Sequence, residues 1–250
     1  MPVVVESGIV TRFVNYREND RILTILTPGR GRIDARARGC RRPTSPLLPC
    51  AEPFVFGEFE LFSGKDRNTV NSCTVTERFF PIREDIIRFA VGTSMVQLAT
   101  ETMQPNEPNE PQFFLLYHAL SFLAYGTSDP MDLFCCYLIR FLDLAGFRPA
   151  ITTCGVCGRD VRGDDRLYFG YRPGGTACAA CMRGERPVSK TALEALRRML
   201  LLSDGEMDRV QLKPALRKEI FAALTDYASH SLEFGPRALA FLQQIPDMGE

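Results

Sequence analysis

The sequence of 250 residues has no tryptophan and two histidines, and the common catalytic motifs are also missing. Gly64-Lys65 lacks both the glycine spacing and the following Ser or Thr of a phosphate-binding loop. GxGxxG and GxSxG are absent, which argues against dinucleotide enzymes and serine hydrolases. The paired cysteines have no accompanying His-x-Glu, which argues against a nucleobase deaminase. We therefore expect a protein that is not an enzyme.

Long apolar runs are also absent. No stretch approaches the roughly 18 to 20 apolar residues that a membrane helix requires. The first six residues, MPVVVE, lack the basic start and long apolar run of a secretory signal. We expect a cytoplasmic protein with no membrane partner. The nine cysteines should then be thiols or metal ligands rather than a disulfide framework.

The formal net charge is zero, but the charges are unevenly distributed. Of the 30 basic residues, 26 are arginine and four are lysine. Residues 12–42 hold nine arginines against three acids, a balance of +6, whereas residues 81–153 hold four arginines against eight acids, a balance of −4. Arginine makes bidentate hydrogen bonds to phosphate and stacks on aromatic rings. The N-terminal part of the chain is therefore expected to meet a polyanion.

Residues 1–80 have the pattern of a small β-domain. Ile33, Ala35 and Ala37 alternate with charged residues, as in a strand with one buried face. Five runs rich in β-branched and aromatic residues predict strands, and they lie at 9–16, 21–27, 32–38, 54–62 and 69–76. Five short strands suit a closed barrel, and the five-stranded OB-fold is the leading prediction. Strand count alone does not separate it from an SH3-like barrel.

From residue 81 the apolar period becomes helical. Gly126 and Gly146 are expected to end helices in a left-handed conformation, and Thr191 with Glu194 to form a capping box. The predicted helices lie at 84–103, 112–125, 131–145, 189–202 and 212–227. The predicted fold class is thus α+β and multidomain, with an N-terminal OB-fold at 1–80, a helical domain at 81–150 and 182–250, and an insert at 151–181.

The insert contains two CxxC pairs separated by 20 residues: Cys154, Cys157, Cys178 and Cys181. This spacing is typical of a zinc site, because each short turn aims two thiolates at one ion. Four thiolates leave no open position for water, so one Zn²⁺ would be structural rather than catalytic. Iron–sulfur ligation and redox-active dithiols are the alternatives.

Several segments resemble the RecO family of bacterial DNA-repair proteins. They include YRENDRI at 16–22, LTPGRG at 26–31, RGCRR at 38–42, FELF at 59–62 and FLDLAGF at 141–147, together with the two CxxC pairs. The resemblance implies an OB-fold, a helical domain with an inserted zinc module, and a location with the bacterial nucleoid. It also implies a recombination mediator that binds single- and double-stranded DNA and anneals complementary strands. The implied partners are RecR, the C-terminal tail of the single-strand-binding protein SSB and, indirectly, RecA.

The basic N-terminal segment supplies the candidates for DNA contact. Nine arginines and two aromatic residues form this set: Arg12, Arg17, Arg21, Arg30, Arg32, Arg36, Arg38, Arg41 and Arg42, with Phe13 and Tyr16 as stacking platforms. Arg38, Arg41 and Arg42 lead this set. The alternative is a structural adaptor whose zinc module and helices join other proteins without direct DNA binding.

Overall fold

The computed structural model describes residues 3–63, 68–234, 237, 239, 240 and 242. The outer ends of the predicted domains at 1–80 and 182–250 include residues outside this set. Within these ranges, none of the helices has the length and apolar character needed to cross a bilayer.

Five strands form a closed barrel: β1 (Val3–Tyr16), β2 (Asp20–Thr27), β3 (Gly31–Ala37), β4 (Phe56–Ser63) and β5 (Asn68–Glu77). Their order around the barrel is β1-β2-β3-β5-β4, and β3 runs parallel to β5. This is the OB-like arrangement predicted from the sequence. The alternation in β3 is confirmed, because Ile33, Ala35 and Ala37 are buried in the barrel core. A 3-10 turn at Leu48–Cys50 packs against β5.

The C-terminal part is helical, with α1 (Ile86–Thr102), α2 (Glu110–Tyr125), α3 (Pro130–Leu144), α4 (Lys190–Leu201) and α5 (Pro214–Ser231). Three short strands lie between α3 and α4: β6 (Leu167–Gly170), β7 (Gly175–Cys178) and β8 (Arg186–Val188), in the order β7-β6-β8. The sheet of the cysteine module therefore extends beyond residue 181, where the sequence placed the end of the insert.

Two local predictions about helix ends are wrong. Gly126 ends α2 in an extended conformation, with φ at −76°. A Cβ on this glycine would lie 2.6 Å from the backbone oxygen of Phe122 and 2.4 Å from Asp208 Oδ1, so close approach rather than left-handed backbone favours glycine here. The cap of α4 is Ser189, whose hydroxyl accepts from the Ala192 amide, rather than Thr191. Gly146 has the predicted left-handed conformation, with φ at 85°.

The barrel packs directly on the helices. The backbone amide of Asn109 donates to Pro28 O at 3.0 Å, and that of Arg32 donates to Gln104 O at 3.1 Å. Ile9 and Leu26 of the barrel belong to the buried core of the helical part. The loop between α1 and α2 thereby covers one end of β2 and β3.

Candidate nucleic-acid interface and metal centre

The outer face of β1, β2 and β3 carries both basic and apolar side chains. Arg12, Val14 and Tyr16 alternate along β1 and so share one face. Val14 lies opposite Ile22, which lies opposite Arg36, and Val14 is 59% exposed. Arg12 donates from Nε to Thr24 Oγ1 at 3.2 Å and stays exposed. An apolar strip with basic edges therefore faces the solvent.

Tyr16 lies beside two guanidinium groups. The guanidinium carbon of Arg17 is 5.4 Å from the centre of the Tyr16 ring, and that of Arg36 is 5.2 Å from it. Arginine and tyrosine attract each other in this arrangement through the charge distribution of the ring. The three side chains make a flat, positively charged platform at the end of the β1–β2 hairpin.

Asp20 holds the platform and the following basic turn in place. Its Oδ1 accepts from the backbone amide of Gly39 at 2.7 Å, and its Oδ2 accepts from Arg36 Nε at 2.8 Å. These hydrogen bonds, the one from Gly39 first, lower the pKa of the Asp20 carboxyl. The sequence analysis did not single out Asp20. An acidic residue at the start of a strand, within a basic segment, is the sequence feature that could have indicated this role.

Arg38, Arg41 and Arg42 lie in the turn after β3, and all three are exposed. Arg41 donates from Nη1 to the backbone oxygen of Glu18 at 2.8 Å, which joins this turn to the β1–β2 hairpin. Among the described residues, the guanidiniums of Arg38 and Arg42 make no hydrogen bond or ion pair. Their donors therefore face water and are available to a phosphate.

Three other candidate arginines are engaged within the fold. Arg21 lies 3.6 Å above the centre of the Phe13 ring and donates to Ala51 O and Glu52 Oε1, both at 2.6 Å. At the other end of the strands, two arginines contact the helical part: Arg30 donates to Asn106 Oδ1 at 3.2 Å, and Arg32 to Thr100 O at 3.1 Å. We therefore leave these three arginines and Phe13 out of the surface proposed for DNA contact. Their own contact with DNA stays a prediction.

The four predicted cysteine ligands converge. The Sγ atoms of Cys154, Cys157, Cys178 and Cys181 all lie within 4.8 Å of one another. Both CxxC turns are closed by backbone hydrogen bonds, from Gly158 N to Cys154 O at 2.8 Å and from Cys181 N to Cys178 O at 3.0 Å. In the described part of the chain this is the one cluster of this kind. Four thiolates at this separation suit a tetrahedral ion with a closed coordination shell.

The thiols influence one another's ionisation. A hydrogen bond from Arg159 lowers the pKa of Cys178 to about 6. Hydrogen bonds with the neighbouring thiols of Cys178 and Cys157 raise the pKa of Cys181 to about 12. Like charges this close oppose full ionisation, so a cation is needed to hold four thiolates together. Arg159 was not singled out from the sequence, although it lies two residues beyond the first pair.

Comparisons with known proteins cover both parts of the chain. The family model described as recombination protein O N terminal matches residues 1–79, and that described as recombination protein O C terminal matches residues 83–240. The DNA repair protein RecO of Acetivibrio thermocellus is 31% identical over 242 residues, which is 96% of this chain and 96% of that protein. RecO of Symbiobacterium thermophilum is 30% identical over 242 residues, covering 95% of this chain and 96% of that protein.

Proposed function

Because the chain belongs to the RecO family of DNA repair proteins, we propose that it is a recombination mediator that works by binding rather than by catalysis. It binds single- and double-stranded DNA, anneals complementary strands, and acts with RecR to help load RecA onto gaps coated by SSB. The observation that carries this proposal is the basic surface of the barrel, where the exposed Arg12, Arg17, Arg38, Arg41 and Arg42 lie around half-buried Tyr16 and the half-buried Arg36 that pairs with Asp20.

The physical basis of the proposal is a division of roles on this surface. Arg38 and Arg42 offer unpaired guanidiniums that can replace the counterions of a phosphate backbone. Tyr16 offers an aromatic ring on which a base can stack, and exposed Val14 adds apolar area beside it. Neither contact reads base identity, so binding should be independent of sequence. A surface of this kind suits a protein that holds strands while they pair with each other.

A triple charge reversal tests the interface. Arg38→Glu, Arg41→Glu and Arg42→Glu together should weaken binding of fluorescent single-stranded DNA for every sequence tried. The slope of log affinity against log salt should flatten by about 0.7 for each lost phosphate contact, or about 2 for three. The matched control is Arg172→Glu, Arg183→Glu and Arg186→Glu, which changes net charge equally at exposed positions of the cysteine module. An unchanged slope in the first variant, or an equal loss in the second, counts against the proposed surface.

The same titration separates the mediator from the adaptor. A wild-type protein that fails to bind single-stranded DNA at low salt would support the adaptor, in which the cysteine module and the helices join other proteins. Faster annealing of complementary strands coated with the cognate single-strand-binding protein would support the mediator. Annealing by the triple variant at the wild-type rate would contradict the role given to Arg38, Arg41 and Arg42.

We further propose that the four cysteines bind one structural Zn²⁺. The support is the tetrathiol cluster, whose ligand type suits zinc and whose closed shell leaves no coordination position for water. Metal analysis of the purified chain should give about one zinc per chain. Iron in place of zinc, or four freely titratable thiols, would contradict this.

The acidic tail of SSB, which ends in Phe, is proposed to bind a groove of about 630 Å³ between α4 and the start of α5. Its apolar floor includes Met199, Leu212 and Leu216, and its rim includes Arg198 and Arg209. Both arginines pair with exposed glutamates on their own helical segments. Exposed pairs of this kind are worth about 0–1 kcal/mol, so an acidic peptide can displace them.

A peptide titration tests the groove. Arg198→Glu with Arg209→Glu should abolish binding of a fluorescent acidic peptide ending in Phe, while Arg183→Glu with Arg186→Glu should leave it unchanged. Equal binding by all the variants would exclude this location.

A further inference from the structure

Two cysteines outside the proposed metal site contact each other where the 3-10 turn Leu48–Cys50 packs against β5. Cys50 ends the 3-10 turn Leu48–Cys50, and Cys73 lies in β5. The Cys50 thiol donates to the backbone oxygen of Cys73, with 3.7 Å between Sγ and O, and the two thiols hydrogen-bond to each other. Their contact joins the β3–β4 connection to a strand 23 residues further along the chain.

The pair differs from the other free thiols. Cys135 and Cys136 are fully buried, and burial raises the pKa of Cys136 to about 12, so these thiols stay protonated. Cys50 is 2% exposed, whereas Cys73 is half-buried and so gives small oxidants a route to the pair. The hydrogen bond from Cys73 lowers the pKa of Cys50 and raises that of Cys73. Cys50 is therefore the more acidic thiol of the pair, and thiol oxidation proceeds through the thiolate.

We propose that Cys50 and Cys73 are a redox-active dithiol, which a peroxide converts to a disulfide that ties the β3–β4 connection to β5. In this step an S–S bond forms between the two Sγ atoms and the O–O bond of hydrogen peroxide breaks. The two thiols give up two protons and two electrons, and the peroxide leaves as two molecules of water. A thiol reductant reverses the step. This inference goes beyond DNA binding and does not depend on it.

The site matters because the connection it would restrain carries the exposed basic turn. Arg38, Arg41 and Arg42 lie between β3 and the 3-10 turn that Cys50 ends. Arg21 holds the same connection from the other side, through Ala51 O and Glu52. A disulfide at Cys50 would add a covalent bond to the hydrogen bonds that Arg21 makes. It would therefore reduce local opening of the β3–β4 connection.

Peptide mapping tests the proposal on the full chain with zinc added. The reduced protein is treated with stepped amounts of hydrogen peroxide, alkylated, digested without reductant and analysed by mass spectrometry. The expected product is a peptide pair joining Cys50 to Cys73, two hydrogen atoms lighter than the separate peptides and lost on reduction with dithiothreitol. Cys73→Ser should eliminate this product, and Cys135→Ser should retain it. Full alkylation of both cysteines after treatment, or a pairing of Cys50 with Cys40, would overturn the proposal.

Hydrogen exchange tests the restraint separately. Amides of residues 38–55 should exchange more slowly in the oxidised wild-type protein than in the reduced one, with no such change in Cys73→Ser. Because Cys73 is half-buried, this variant should fold, and its circular dichroism and thermal midpoint check that it does. Exchange that does not slow after the disulfide has formed would refute the restraint.

Discussion

The first cysteine turn requires a residue without a Cβ at position 155. A Cβ on Gly155 would lie 1.6 Å from the backbone oxygen of Pro173, and its amide donates to Thr176 O at 2.9 Å. Close backbone approach therefore requires glycine here. At Gly158 the requirement is conformational, since its φ is 73°. The two glycines of this turn are therefore required for different reasons.

Gly155→Ala should displace the first CxxC turn from the second. We expect a loss of bound metal and a destabilisation of about 2–4 kcal/mol, because the clash is with backbone that cannot move aside cheaply. Metal content and the thermal midpoint measure both effects. The control is Gly163→Ala, since a Cβ at Gly163 would meet no atom within 4 Å. Equal metal content in the two variants would contradict the close approach.

Asp20→Asn should destabilise the barrel in a manner that depends on pH. The loss should be about 1–3 kcal/mol at pH 7, the usual effect of removing a charged hydrogen-bond partner. The folded pKa of Asp20 lies below its unfolded value of about 3.9, so its stabilisation is present above that pH and is lost as pH falls through the folded pKa.

Urea unfolding at pH 7 and pH 3 should therefore show the two proteins converging at low pH. Glu58→Gln, at an exposed carboxylate of β4 that makes no hydrogen bond or ion pair among the described residues, should change stability by less than about 0.5 kcal/mol. A difference between wild type and Asp20→Asn that is constant with pH would contradict the role of the carboxylate.

The start of α5 is attached to the start of α3 by a buried carboxylate. Asp132 is 2% exposed and accepts from the Leu212 amide at 2.9 Å and from Arg217 Nε at 2.6 Å. Arg217 also pairs with Asp129 at 2.9 Å. Two helices separated by the whole cysteine module are therefore held at one point.

Arg217→Met should leave the Asp132 carboxylate buried without its charged partner. The expected loss is about 2–4 kcal/mol in the free energy of unfolding, because an uncompensated buried charge is strongly destabilising. Arg209→Met is the comparison, since Arg209 is 74% exposed and its pair with Glu206 should contribute less than about 1 kcal/mol. Similar losses in the two variants, measured by denaturant unfolding, would show that burial does not set the effect.

The cysteine module and the helices share one core. Phe169 of β6 packs against Tyr227 of α5, with ring centres 5.5 Å apart. Cys154 and Cys178 belong to the same buried cluster as α3 and α5, whereas most of the barrel interior forms a separate cluster. Loss of the proposed Zn²⁺ should therefore destabilise the helical part before the barrel.

Removal of the proposed Zn²⁺ with a chelator should accelerate hydrogen exchange in β6, β7 and α5 and lower the thermal midpoint, because metal binding and folding of a small module are coupled. Exchange in β1 to β5 should change much less. Restoration of protection by added Zn²⁺ is the control for irreversible damage. Equal loss of protection throughout the chain would indicate that the two cores are not independent.

The local pattern of residues was enough to predict the five barrel strands, the five helices and the set of four cysteines that the fold brings together. Strand alternation, helical period and CxxC spacing depend on neighbours in the chain, so each can be recognised within a short segment. The exposure of each arginine could not be predicted in this way. Arg21 depends on Ala51 and Glu52, and Arg32 on Thr100, and these partners are distant in sequence. Folding brings such partners together and engages some of the nine arginines predicted from the sequence. The surface proposed for DNA contact therefore contains only the arginines around Tyr16 and in the turn after β3.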